Sequence, residues 1–132
     1  MPLEMYALKS TAVVRLDSLV DCCRSEVSLE RDCRFEAEKH ALVQAPKEAC
    51  GLIVNGEYWP CRNIADEPEL DFAINPIDYA RAALSGKIEA VVHSHPMGGP
   101  ASPADLRACR VTRLAWHIYL IPEGKWSTIK PC

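Results

Sequence analysis

The sequence offers little that would assign it to a membrane or to a polyanionic partner. No apolar run among its 132 residues approaches the roughly 20 residues that a membrane-spanning helix needs. The formal net charge is −3 and no block of like charges is present, so a nucleic-acid-binding surface is not indicated. The first ten residues, MPLEMYALKS, carry an early acidic residue and no long apolar core, which is not typical of a secretion signal.

Metal-binding and redox cysteine pairs are also missing. The chain has seven cysteines, an odd number, and none of them forms a C-x-x-C pair, so a zinc ribbon or a thioredoxin-type motif is not indicated. Apolar residues make up 48% of the chain, enough to build a core without disulfide bonds. We therefore expect free, mostly buried thiols in a reducing compartment.

The length suits one domain, and the pattern within it becomes clear only after the first fifth of the chain. Residues 1–28 are predicted to be an N-terminal extension of unclear structure, and residues 29–132 the domain itself. Apolar periodicity, capping residues and turn signals predict the elements of that domain. They are helices over 29–45, 75–86 and 102–111, and strands over 50–54, 57–61, 70–74, 88–93, 116–121 and 125–130. This order predicts an α/β fold with a mixed central β-sheet flanked by helices.

Two of the four histidines lie in the stretch VVHSHPMGGPASPAD, at the end of a predicted strand. Side chains two residues apart point to the same side of an extended chain, so His93 and His95 can converge on one point. Imidazole is a common zinc ligand, and a catalytic zinc site needs a third protein ligand with one position left for water. Asp105, in the first turn of the next helix, is the candidate for that ligand.

Ser102 and Glu48 each have a structural and a functional interpretation. Ser102 can cap the helix in a capping box with Asp105, or its hydroxyl can stabilise the oxyanion of a reaction intermediate. Glu48 lies between a predicted helix and a predicted strand. Taken alone it is typical of a solvated loop carboxylate, but beside a zinc site it would be a general base.

The remaining candidates are weaker. His117 lies among large apolar residues of a predicted strand and is expected to be a hydrogen-bonded structural histidine. His40 is expected to be solvated on the first helix. Cys50 would be a nucleophile only if a histidine oriented it in space.

Together, Glu48, the HSHP sequence beginning at His93 and the SPAD sequence at 102–105 resemble the JAMM motif of the JAB1/MPN/Mov34 metallopeptidase family. Within that family, EACGLIV, CRNIA, FAINPIDYA and WHIYLIP are most similar to the N-terminal domain of phage tail-assembly peptidases. The resemblance implies an MPN/JAMM (cytidine-deaminase-like) fold. It also implies zinc ligands at His93, His95 and Asp105, an acid/base at Glu48, and stabilisation of the tetrahedral intermediate by Ser102.

The function implied is that of a zinc metallopeptidase or isopeptidase, with a phage tail protein or a ubiquitin-like protein as substrate. The expected location is the cytoplasm of a bacterium or of a phage-infected host. The loop between His95 and Ser102 holds six residues where the family usually has seven. A second hypothesis is therefore a catalytically weak MPN-type scaffold that binds a tail or ubiquitin-like partner.

Overall fold

The computed structural model of the protein describes residues 29–131, which contain three helices and five strands. The predicted N-terminal extension, residues 1–28, lies outside the described residues. The elements are α1 (Arg31–Gln44), β1 (Cys50–Val54), β2 (Glu57–Cys61), α2 (Pro76–Ser85), β3 (Ile88–His95), α3 (Pro103–Thr112), β4 (Ala115–Leu120) and β5 (Lys125–Ile129).

The five strands form one mixed sheet in the order β2-β1-β3-β4-β5. β3 and β4 are parallel and the other neighbouring pairs are antiparallel. The crossover from β3 to β4 runs through α3, as a parallel connection requires. The mixed α/β architecture predicted from the sequence is confirmed.

Helices cover both faces of the sheet. On one face, Cys33 and Ala37 of α1 pack with Ile53, Ala90 and Val92. On the other face, the core contains Ala82 of α2 and Ala108 of α3. The fully buried Trp116 and Leu52 belong to this second core. Because β3 is central and is covered on both sides, His93 and Ser94 near its C-terminal end are buried.

The structure contains the turns and helix caps that local residue types in the sequence favour. Asn55 and Gly56 have φ angles of 50° and 79°, as a tight hairpin between β1 and β2 requires. The Asn75 side chain caps α2 by accepting hydrogen bonds from the backbone N–H groups of Ile77 and Asp78. Asp78 in turn binds Arg62, at 3.0 Å between the Arg62 Nη2 and an aspartate oxygen, and ties α2 to the end of β2.

Residues 70–74 are not a strand, contrary to the prediction. Within the described residues, one isolated β-bridge, between Asn63 and Ile74, is the only strand-type pairing of this segment. Phe72, Ala73 and Ile74 are all buried, so the alternation expected of a half-buried strand is absent. The Asn63 side chain accepts the Ala73 N–H and takes the place of a strand partner.

Three further features extend or correct the sequence-based expectations. β3 runs two residues further than predicted, to His95, so both histidines of the pair lie within the strand. His40 is partly buried and hydrogen-bonded to the Tyr58 hydroxyl at 2.7 Å, so it is not simply solvated. Four of the described cysteines are buried thiols outside any disulfide bond, as predicted: Cys33, Cys50, Cys61 and Cys109.

Between residues 29 and 131, none of the helices combines the length and the apolar character that crossing a bilayer demands.

Candidate metal centre

His93 and His95 lie at the C-terminal end of β3, on the same face of the sheet. His93 is 1% exposed. Its ring stacks on Phe72, with centroids 4.4 Å apart, and meets the edge of Trp116 at 5.6 Å. Packing on two aromatic rings fixes the orientation of the imidazole, and its Nε2 atom lies 3.3 Å from Nε2 of His95.

The chain doubles back after β3 and brings the first turn of α3 onto the two imidazoles. Ser102 Oγ accepts the Asp105 N–H at 3.0 Å, and Asp105 Oδ2 accepts the Ser102 N–H at 3.0 Å, which completes a capping box. The same Oδ2 atom lies 3.5 Å from His93 Nε2 and 3.3 Å from His95 Nε2. The six-residue loop therefore leaves Asp105 beside both histidines.

Glu48 reaches the same place from the start of β1. β1 and β3 are antiparallel, and Cys50 pairs with His93. Glu48, two residues before Cys50, therefore lies opposite His95, two residues after His93. Two hydrogen bonds between Ala49 and Ser94 extend this pairing beyond β1, one through the backbone at 3.0 Å and one through the Ser94 hydroxyl at 2.8 Å. Glu48 is 7% exposed, which does not fit its alternative interpretation as a solvated loop carboxylate.

Glu48, His93 and His95 form a possible metal-binding group. One ligand atom from each lies within 4.8 Å of the others. Asp105 adds a second carboxylate at 3.3–3.5 Å from the imidazoles. Two ligand atoms bound to one tetrahedral zinc ion at about 2.0–2.1 Å are about 3.3–3.4 Å apart. The spacing among His93, His95 and Asp105 therefore fits the edges of such a tetrahedron.

The hydrogen bond of His95 to Gly99 shows which of its two ring nitrogens carries the hydrogen. Nδ1 lies 3.1 Å from the Gly99 carbonyl oxygen, which can only accept, so Nδ1 carries the hydrogen and donates it. In the neutral ring Nε2 then presents a lone pair towards Asp105 Oδ2. Two acceptors at this distance repel each other unless a proton or a cation lies between them, so the donor set fits a bound cation.

The electrostatics of His95 agree with this arrangement. Burial lowers its pKa, but the hydrogen bonds to Asp105 and to the Gly99 carbonyl, with the charges of Glu48 and Asp105, outweigh burial and raise the pKa. The surroundings thus favour positive charge at the point where Nε2 meets Oδ2. A metal ion would meet the same field.

Some residues that organise the centre were not singled out from the sequence. Asn63 Nδ2 donates to the carbonyl oxygens of Glu48 at 2.9 Å and of Asp71 at 3.0 Å, and Asn63 Oδ1 accepts the N–H groups of Ala65 and Ala73. Asn63 lies in a polar loop, and only its many hydrogen-bond partners distinguish it from its neighbours.

Phe72 lies in the segment that the sequence predicts to be a strand. That prediction gives no indication that its ring stacks on His93.

The surroundings of two weaker candidates show whether they belong to a functional site. Cys50 is fully buried, and its Sγ lies 3.7 Å from the carbonyl oxygens of Cys61 and Arg62, so a substrate cannot reach it as a nucleophile. His117 is 1% exposed and hydrogen-bonded to Thr128 at 2.8 Å, as expected of a structural histidine.

A cleft of about 490 Å³ opens onto the centre. Glu48, His95, Ser102 and Asp105 line its inner part. Residues 67 and 69–71 line one side, and residues 96–98 and Pro100 line another. The candidate centre is therefore open to a ligand although most of its side chains are buried.

Comparison with known proteins gives a clear relative. The chain is 41% identical over 98 residues to tail tip assembly protein K of Escherichia phage N15. The chain has a homologue among phage tail assembly proteins. The match covers 70% of this chain but 40% of that protein, so the chain spans less than half of its relative's length. No protein-family model matches the chain.

A structural comparison supports the fold. The solution structure of a protein from Desulfitobacterium hafniense superposes with a TM-score of 0.62, at 22% sequence identity, over 76% of this chain and 79% of that chain. A likeness at this identity concerns the mixed α/β fold alone. Membership of the JAMM family and the MPN fold stay predictions of the sequence.

Proposed function

We propose that the protein is a zinc-dependent peptidase or isopeptidase that hydrolyses an amide bond of a tail protein during phage tail assembly. The observation that carries the proposal is the triangle of His93 Nε2, His95 Nε2 and Asp105 Oδ2, with sides of 3.3, 3.3 and 3.5 Å. The name of its relative supports the setting in tail assembly. A ubiquitin-like substrate and a cytoplasmic location are expectations from the sequence alone.

The residues at the centre divide into ligands and reacting groups. His93, His95 and Asp105 would hold the zinc ion. A zinc ion held by these residues would acidify a bound water molecule and would polarise the scissile carbonyl. Glu48, whose ligand atom lies within 4.8 Å of those of the two histidines, is the general base.

Glu48 moves the proton that the reaction requires. As water attacks the carbonyl carbon, the Glu48 carboxylate accepts one of its protons. It then delivers that proton to the nitrogen of the leaving amine as the C–N bond breaks. Asn63 and Ser94 hold the peptide group between Glu48 and Ala49, Asn63 by donating to the Glu48 carbonyl oxygen and Ser94 by accepting the Ala49 N–H, so the carboxylate starts in position.

Ser102 serves both of its interpretations at once. Its Oγ accepts the Asp105 N–H in the capping box, which leaves the hydroxyl hydrogen for another acceptor. In the proposed reaction, that hydrogen is donated in a hydrogen bond to the oxyanion of the tetrahedral intermediate. The capping box at the same time keeps Asp105 Oδ2 directed at the imidazoles.

Glu48→Gln tests the proposal because it separates metal binding from chemistry. The three proposed ligands remain, so the zinc content of the purified protein should match that of the wild type. Hydrolysis of peptides derived from tail proteins should fall by about 10²–10⁴-fold, the usual contribution of a positioned acid/base. The matched control is Glu57→Gln, an exposed carboxylate that does not line the cleft.

The outcomes separate the possible roles of Glu48. Loss of zinc in Glu48→Gln would make Glu48 a ligand, and full activity would exclude it as the base. The alternative, a catalytically weak scaffold for a tail partner, is favoured by the capping box, which gives Ser102 and Asp105 a use that needs no metal. Wild-type protein without bound zinc, and with a melting temperature that zinc does not change, would decide for the scaffold.

A further inference from the structure

The charged side chains in the outer part of the cleft are all acidic. Among the described residues that line it, five are carboxylates, and none is a lysine or an arginine. Glu48 and Asp105 belong to the inner centre, where one divalent ion would balance them. Glu67, Glu69 and Asp71 remain on the rim, so the cleft is negative whether or not a metal is bound.

The acidic side of the cleft is held in place. The Glu67 carbonyl oxygen accepts the N–H groups of Leu70 at 2.9 Å and Asp71 at 3.0 Å, which folds the segment into a turn. Asn63 Nδ2 donates to the Asp71 carbonyl oxygen, so the turn is fastened to the loop that supports Glu48. Glu67 and Glu69 are themselves exposed and form no ion pair within residues 29–131.

Two residues that line the cleft expose large apolar side chains to solvent. Leu70, on the acidic side, is 72% exposed, and Met97, on the loop after β3, is 86% exposed. The Met97 loop is fastened by the Gly98 N–H, which donates to the His95 carbonyl oxygen at 3.0 Å, and by His95 Nδ1, which donates to the Gly99 carbonyl oxygen. Both residues lie on segments whose backbone is held by hydrogen bonds, and their exposed side chains line one cleft, which suits an apolar group of a ligand.

We propose that this cleft selects polypeptide segments in which a lysine or arginine lies next to a large apolar residue. The proposal rests on the proposed function for the idea that the ligand is a peptide substrate. The basic side chain would meet Glu67 and Glu69, and the apolar side chain would lie between Leu70 and Met97. An acidic segment would be repelled by the same rim.

Peptide binding to full-length Glu48→Gln protein tests the selection without turnover. The probes are three fluorescein-labelled ten-residue peptides with a central leucine flanked by two lysines, two glutamines or two glutamates. Exposed ion pairs contribute about 0.2–1 kcal/mol each, so fluorescence anisotropy should show about two- to thirtyfold tighter binding of the lysine peptide than of the glutamine peptide. The glutamate peptide should bind most weakly, and 0.5 M salt should reduce the differences.

Substitutions of the rim carboxylates test whether they cause the preference for lysine peptides. Glu67→Gln combined with Glu69→Gln should remove most of the preference for lysine. Asp66→Asn is the matched control, since Asp66 is exposed on the same loop but does not line the cleft. Met97→Ser should weaken binding of the leucine peptides but not of a matched peptide with a central serine.

The outcomes are distinguishable from failure of the proposed function. Equal binding of the three peptides, or an equal effect of Asp66→Asn and the double substitution, would overturn the selection. Wild-type protein that binds zinc and hydrolyses basic and acidic peptides alike would overturn the selection and leave the peptidase standing. A preference for lysine in a protein that holds no zinc would overturn the peptidase and support the selection as a property of a binding cleft.

Discussion

His117 should make the stability of the protein depend on pH. It lies on β4, is 1% exposed, and its Nδ1 is hydrogen-bonded to the Thr128 hydroxyl at 2.8 Å. Its Nε2 is buried without a hydrogen-bond partner in the described part of the chain. Burial disfavours the charged ring and lowers the pKa of His117 to about 4.

The sign and size of the effect follow from the difference between the folded and unfolded states. The unfolded chain binds a proton at His117 near pH 6.5, whereas the folded chain does so only near pH 4. As pH falls from 6.5 to 4, protonation therefore favours unfolding. The free energy of unfolding should decrease by about 2 kcal/mol between pH 7 and pH 5, and by roughly 3 kcal/mol in total below pH 4.

Urea unfolding of the wild type and of His117→Gln at pH 7, 6 and 5, with a chelator present, measures this effect. Glutamine keeps a polar group for Thr128 but cannot take up the proton. The gap between the two unfolding free energies should therefore shift by about 2 kcal/mol in favour of the variant between pH 7 and pH 5. Parallel pH profiles, or a histidine resonance of His117 that titrates near pH 6.5, would refute the reasoning.

Two further predictions concern the metal centre. His95→Ala should lose zinc at an equimolar zinc concentration, because the two remaining protein ligands hold zinc poorly. His40→Ala removes a histidine on the opposite face of the sheet and should keep its zinc. Stoichiometric zinc in His95→Ala would mean that the ligands are misassigned. Asn63→Ala should lower the free energy of unfolding, measured in urea, by about 1–3 kcal/mol. The substitution removes the side chain that binds two carbonyl oxygens and two backbone N–H groups beside the centre. An unchanged free energy would show that water replaces the Asn63 side chain.

The sequence by itself determined most of the elements and the identity of the candidate residues. These depend on local chemistry: Asn55-Gly56 supplies the positive φ angles of a hairpin, Asn75 caps a helix, and two histidines two residues apart share one face of a strand. Signals of this kind act within a few residues, so they can be read without knowledge of the partners. The capping box of Ser102 and Asp105 is another example.

Only the tertiary structure decided how these residues meet. Glu48 is buried beside His95 because β1 pairs antiparallel with β3, and no residue near Glu48 in sequence indicates that pairing. The segment 70–74 alternates like a strand, yet Asn63 satisfies its backbone and Phe72 packs on His93 instead. Contacts between residues far apart in the chain arise from the register of the sheet and from side-chain packing, which local patterns do not encode.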